Sequence, residues 1–341
     1  MTIDESELIE RAHHFLSIGL LSQAIATFDQ VLRVNPSSAQ GCYGRGLAYK
    51  TVNNLPQALI NYDQCITNDP EYSLAYYAKG VIFRQQSRFL ESIIQYDTAI
   101  DLNQFDPDYY YGRGIAHASA NHYKQAIEDF DSALELNPNL PNCLYNIGVA
   151  YKELNKPQMA LEYYTKAILL RPDDPDYLYA RGNALSGLDI HSEAIKDYDK
   201  AITLVSNFGN AFYNRGIAKR NMGEFSNAIL DFQIAISLLP PFADLFLNIG
   251  ITFMDLQEFS QALETFNKAI ELDSSLARCF TNKGQALYKM KMYKDSIINF
   301  SQALELEPSS LIALESRLNC FKKLGDQEHI DQDTALLKKL T

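Results

Sequence analysis

PNCLYNIGVAYKELNKPQMALEYYTKAILLRP, Pro141 to Pro172, is the stretch that decides the fold. Leu144, Ile147, Gly148, Tyr151 and Leu154 recur at helical spacing. After Asn155-Lys156-Pro157 a second set follows in Ala160, Leu161, Tyr164, Ala167 and Ile168. The pattern predicts a helical hairpin. Asn155 tolerates the left-handed backbone that ends a helix, Pro157 suits a first turn where its missing N–H has no partner, and Pro172 closes the second helix.

Glycine inside a helix costs roughly 0.5–1 kcal/mol relative to alanine, so Gly148 needs a reason to be there. Steps of 34 from it give Gly46, Gly80, Gly114, Gly182, Gly216, Gly250 and Gly284, eight of the sixteen glycines on one grid. The same step from Tyr164 gives Phe28, Tyr62, Tyr96, Phe130, Tyr198, Phe232, Phe266 and Phe300. Two more columns hold small residues. One runs Ala24, Ala58, Ser92, Ala126, Ala160, Ala194, Ala228, Ala262, Ser296; the other runs Val31, Cys65, Ala99, Ala133, Ala167, Ala201, Ala235, Ala269, Ala303. Small residues let two helices approach closely, and the ring fills the space beside them.

A period of 34 with this residue order resembles the tetratricopeptide repeat, W-x2-L-G-x2-Y, A-x3-F, P. With the grid glycine at position 8, nine units fall at residues 5–38, 39–72, 73–106, 107–140, 141–174, 175–208, 209–242, 243–276 and 277–310, and a degenerate tenth at 311–341 acts as a cap. The chain departs from the family pattern in having no tryptophan. Gln104, Ser206 and Ser274 replace the closing proline, so the bends after units three, six and eight carry the weakest sequence signal. The resemblance implies an all-α fold, a right-handed α-solenoid or superhelix of stacked helix-turn-helix units, with residues 1–341 as a single array because repeats bury their core between neighbours.

Position 7 is basic in Arg45, Lys79, Arg113, Arg181, Arg215 and Lys283 and isoleucine in Ile147 and Ile249. Aspartate at position 25, as Asp63, Asp97, Asp131 and Asp199, never accompanies those isoleucines. This predicts an ion pair inside each of units two, three, four and six. At the amino terminus, Thr2 and Glu5 have capping-box spacing for a helix starting near residue 3. At the other end, Leu314, Leu318, Phe321 and Leu324 predict one helix stopped by Gly325, and Ile330, Leu336, Leu337 and Leu340 a last one.

A formal charge of −12 and a pI near 5.0 oppose non-specific binding to nucleic acid or to an anionic membrane. The start MTIDESELIE is acidic rather than signal-like, and no stretch reaches the ~20 apolar residues of a membrane span, so a cytoplasmic location is expected, with export by a route that reads no such signal left open. The five cysteines form no C-x-x-C pair and read as reduced, buried thiols. Gly-Arg-Gly at 44–46 and 112–114 lacks the strand and third glycine of a phosphate loop. The six histidines show no zinc spacing. No cofactor or metal is expected, and an unbroken grid argues against an enzyme.

The resemblance places positions 2, 5, 6, 9, 12 and 13 on a concave groove. Position 5 is Tyr43, Tyr77, Tyr111, Tyr145, Tyr179 and Tyr213; position 6 includes Asn146, Asn214, Asn248 and Asn282; position 12 includes Lys50, Arg84, Lys152 and Arg220. Tyrosine is enriched at binding hot spots, and an asparagine amide can pair with the N–H and C=O of an extended backbone. These residues are the candidate peptide-binding site, and the same columns also suit plain helix packing. Family members that hold chaperone tails through a two-carboxylate clamp need a lysine and asparagine set. It is incomplete here, since Asn183 follows Tyr179 and Arg278 precedes Asn282, so that partner is not expected. The leading reading is an adaptor or scaffold holding an extended protein segment. Its rivals are a structural subunit that packs through the convex face or ends, and the recognition arm of an enzyme, such as a glycosyltransferase, whose catalytic part is another chain.

Overall fold

The computed structural model describes residues 4–340, and every regular element among them is an α-helix. The chain divides into two units. The first holds five hairpins: α1 (Glu5–Ser17) with α2 (Leu21–Val34), α3 (Ala39–Thr51) with α4 (Leu55–Asn68), α5 (Ser73–Gln85) with α6 (Phe89–Leu102), α7 (Pro107–Ser119) with α8 (Tyr123–Leu136), and α9 (Pro141–Glu153) with α10 (Pro157–Leu170). The second, from Asp173, holds α11 (Pro175–Gly187) with α12 (His191–Leu204), α13 (Gly209–Asn221) with α14 (Phe225–Leu238), α15 (Ala243–Asp255) with α16 (Phe259–Leu272), α17 (Ala277–Lys289) with α18 (Tyr293–Leu306), and α19 (Leu311–Leu324) with α20 (Gln327–Leu340). The capping role expected of Thr2 lies outside the described residues, and α1 begins after Asp4.

The three sequence columns are the core. All nine rings from Phe28 to Phe300, and both small-residue columns, are exposed by no more than 1%. The reason for the glycine is steric. A Cβ on Gly148 would lie 2.6 Å from Tyr164 Cε1, and one on Gly284 would lie 2.7 Å from Phe300 Cε1. Where serine stands in for alanine it finds an acceptor, as Ser92 and Ser296 each donate to the carbonyl of the glycine twelve residues back, Gly80 and Gly284, at 2.7 Å. In the last hairpin the pair is exchanged: Leu318 occupies the glycine position and Thr334 the ring position.

Each hairpin turns at a left-handed residue. Asn155 has φ 56° as its sequence suggests, but Ser87 (59°), Gln257 (62°) and Lys291 (62°) occupy the same place, with glycine only at Gly19, Gly223 and Gly325. Links between hairpins do not depend on the closing proline. Asn103 and Asp273 accept from the backbone N–H two residues on, at Phe105 and Ser275, so two of the three units that lack proline still turn through an Asx contact.

The ion pairs differ from expectation. Arg45 pairs with Asp29, Lys79 with Asp63, Arg113 with Asp97 and Arg215 with Asp199, at 2.6–2.7 Å, so a position-25 aspartate serves the next hairpin and not its own. Within a hairpin the partner is position 23: Arg113 to Asp129, Arg181 to Asp197, Arg215 to Asp231. Two residues of helix are a rotation of about 200°, so positions 23 and 25 face opposite neighbours. The tenth unit keeps this arrangement, with Arg317 bonded to Asp333 of its own hairpin and to Ser301 of the one before. Asp333 is the buried anchor of α20, while Leu336 and Leu340, expected to be apolar anchors, are 38% and 39% exposed.

Candidate functional site

Within each unit the candidate residues lie on the first helices, α3 to α9 in the first unit and α11 to α17 in the second. Each position-5 tyrosine is half-buried and leans on the core ring of its own hairpin, Tyr43 on Tyr62, Tyr77 on Tyr96, Tyr111 on Phe130, Tyr145 on Tyr164, Tyr179 on Tyr198 and Tyr213 on Phe232, with centroids 5.7–6.1 Å apart. Several meet a second ring: Tyr43 lies 5.2 Å from Tyr72, Tyr77 stacks on Tyr109 at 5.2 Å, and Tyr179 lies 4.9 Å from Phe208. Burial pushes the Tyr77 hydroxyl up to about 12 and raises those of Tyr43, Tyr111 and Tyr213, so all four are neutral hydrogen-bonding groups at ordinary pH.

The tyrosine and asparagine columns are bonded to one another. Asn146 Nδ2 donates to the Tyr111 hydroxyl at 3.4 Å, Asn214 to Tyr179 at 3.0 Å, and Asn248 to Tyr213 at 2.9 Å, each spanning 35 residues. Asn282 follows Leu247 instead of tyrosine, and its amide turns to the Arg278 carbonyl of its own helix. Asn214 also reaches Asn183 Oδ1, which accepts from the Tyr198 hydroxyl, both at 2.8 Å. Asn183 is thus a member of the network that the column reading left out; its signal is an amide at position 9, one helical turn from position 5.

Position 12 is less uniform. Arg220 donates to Asn248 Oδ1 at 2.9 Å, and its burial lowers its pKa. Lys152 is exposed and pairs with Glu153, whereas Lys50 and Arg84 are half-buried with no acidic partner.

Two recesses open on this face at the same repeat address. One of about 320 Å³ is lined by Asn183, Ser186, Tyr198, Asn214, Ile217 and Asn221. The other, of about 150 Å³, is lined by Met254, Gln285, Tyr288, Phe300, Ser316 and Asn319. Both lie between positions 9, 12 and 13 of one hairpin and positions 6 and 9 of the next, with the core ring as floor. Among the described residues no helix is long and apolar enough to cross a membrane, and no cluster of His, Cys, Asp or Glu is placed to hold a metal. All five cysteines are buried free thiols.

Hairpins joined at a period of 34, with a repeating open face, define a helical repeat scaffold. Tetratricopeptide repeat models match residues 43–107, 107–140, 141–174 and 277–310, and a TPR repeat model matches 252–291, together more than half of the chain. The chain belongs to the tetratricopeptide repeat family. No curated protein matches it. Among solved structures it is similar to YrrB, described as a TPR protein with an unusual peptide-binding site, at 26% identity and TM-score 0.50 over 57% of this chain and 97% of that one. PilF of Pseudomonas aeruginosa aligns at 20% identity and TM-score 0.53 over 61% and 95%. A chain of the APC/C hetero-tetramer Cut9-Hcn1 aligns at 14% and TM-score 0.51 over 99% and 90%. The last two show the fold alone.

Proposed function

We propose that this scaffold holds an extended segment of another protein along the first-helix face, against the tyrosine column and in the recesses beside it. The observation that carries the reading is the recurrence of a recess at one repeat address, lined by amides, hydroxyls and a core ring. Side chains of a segment entering successive recesses would be spaced by the repeat. Asn146 and Asn214, each fixed through Nδ2, keep a side-chain carbonyl oxygen without a partner, which suits a backbone N–H of the segment. YrrB, with its peptide-binding site, supports a peptide as the occupant.

A second reading is favoured by the outer faces of the second helices. Leu90 and Ile94 on α6 are 67% and 58% exposed, Leu230 on α14 is 57% exposed and Ile298 on α18 is 65% exposed. Such apolar positions suit packing into a larger assembly.

Replacing Tyr145, Tyr179 and Tyr213 by alanine and repeating a capture of partners from the native source distinguishes the two. Loss of a hot-spot anchor costs about 2 kcal/mol or more, so the triple variant should lose a micromolar complex. A folded triple variant that retains every partner, while Leu90→Asp and Leu230→Asp lose them, would move binding to the outer faces.

A further inference from the structure

In hairpins two and three, the cations on the other faces are all matched. Arg45 has Asp29, Lys79 has Asp63, and Arg88 has Glu91. Lys50 and Arg84, both at position 12 and both half-buried on the first-helix face, have no carboxylate. They are neighbours. The Lys50 ammonium is pulled below its usual range by burial and then by the Arg84 charge. Arg84 in turn sits among tyrosines: a contact with the Tyr96 hydroxyl and its charge favour the ionised form of Tyr96, and its charge does the same for Tyr77 and Tyr111.

The same place holds an unanswered donor. Arg84 Nε is buried without a hydrogen-bond partner. Leaving such a group unmade costs about 1–3 kcal/mol, more when it is charged. Asp106 and Asp108, at the start of α7, act on Tyr77 and Tyr109 and pair with neither cation. Two positive charges, one of them with a buried nitrogen that nothing answers, and no paired carboxylate form a site that lacks its acceptor.

We infer that Lys50 and Arg84 form an anion subsite on the first-helix face, which takes the carboxylate of an aspartate or glutamate in the bound segment. The inference rests on the segment-binding reading above and adds the chemistry of one residue of the segment. A chain of charge −12 repels acidic partners at long range, so the subsite acts at contact, setting which residue of the segment sits at hairpins two and three. It differs from a clamp on a terminal carboxylate because both cations come from position 12, one helical turn past the position-9 residues.

The test uses the full chain, immobilised, and pools of nine-residue peptides with acetylated and amidated ends, otherwise randomised, whose central residue is Asp, Glu, Gln, Lys or phosphoserine. Wild type is expected to retain the Asp and Glu pools at least about tenfold over Gln, the scale of a charge-assisted contact. Lys50→Met/Arg84→Met should bring the ratio within about twofold. The double variant removes both the mutual repulsion of Lys50 and Arg84 and the Arg84 contact with Tyr96, so it should melt close to wild type; a large loss of melting temperature would assign the pair a structural role and overturn the subsite. Equal retention of Glu and Gln, or an acidic preference that survives in the variant, would overturn it while leaving the segment-binding reading intact. Phosphoserine retained above Glu would overturn the carboxylate assignment. No retention of any pool would overturn both.

Discussion

Arg215 and Asp231 are joined across one hairpin by two bonds, from Nε at 2.8 Å and Nη2 at 2.6 Å, and the remaining Arg215 nitrogen crosses to Asp199 of the hairpin before. One guanidinium thus ties the second helix of its own unit to that of its predecessor, sixteen residues away in each direction. Lys219 also reaches Asp231, at 2.9 Å.

The two carboxylates should differ sharply in weight. Asp231 is 2% exposed and its side chain answers two cations, so Asp231→Ala strands Lys219, leaves Arg215 with Asp199 alone, and should cost about 3 kcal/mol or more. The Asp199 side chain is 52% exposed, and Asp199→Ala should cost about 0.2–1 kcal/mol. Urea denaturation of the two variants gives the comparison. Equal losses would mean that the pair between hairpins carries as much as the pair within one.

Gly148 permits no side chain while Tyr164 keeps its place. With Tyr164 Cε1 2.6 Å from the added Cβ, Gly148→Leu should cost about 1–3 kcal/mol or more by overpacking, and Gly148→Ala should already be destabilising. Lys156→Ala, in the turn, should change the melting temperature little. Hydrogen exchange should place the loosening in α9, α10 and the adjoining α8, since repeats couple to neighbours.

Columns at a period of 34 made the helices, their turns and the buried rings legible, because each column repeats one local demand. What a column does not say is which neighbour a side chain meets. Aspartates at position 25 lie on the same grid whether they serve their own hairpin or the next, and covariation with position 7 of the same unit pointed to the wrong one. The position-23 column, Asp129, Asp197, Asp231 and Asp333, carries the clearer signal: each aspartate stands sixteen residues after an arginine. The tyrosine and asparagine columns were likewise visible one by one. Their mutual bond was not, because a spacing of 35 becomes contact only when successive first helices lie side by side.

Left-handed turns were legible only where the residue advertises them. Asn155 does, but Gln257 and Lys291 adopt φ near 62° because the hairpin requires it. The left-handed region costs a residue with a Cβ roughly 1–2 kcal/mol, and glycine gives part of that back as unfolded-chain entropy. Gln257→Gly and Lys291→Gly should therefore each stabilise by about 0.5–1 kcal/mol, with Asn155→Gly gaining less. Thermal melts of the single variants check this; a loss at Lys291→Gly would mean that the side chain contributes more than the backbone strain costs.

Acid should loosen the protein through His117. This residue sits in the last turn of α7, with Nδ1 buried and unpartnered and Nε2 3.9 Å from Asp129 Oδ2. Burial lowers its pKa, Asp129 and Asp97 oppose that, and the Arg113 and His122 charges reinforce it. His13, packed edge-on against Phe28 at 5.3 Å, is lowered by burial as well. A histidine whose folded pKa lies below the unfolded value of ~6.5 binds more protons when unfolded. Its contribution is therefore intact above that value and lost as pH falls through it toward the folded pKa. The melting temperature should fall between pH 7 and 5.5, and His117→Gln, which keeps a polar group in place, should fall less. Exposed His329 is raised by its bond to Asp326 and gains in the opposite sense, so the difference between wild type and variant, not the raw slope, is the quantity to measure. Parallel pH profiles for the two proteins would show that His117 is not the group being titrated.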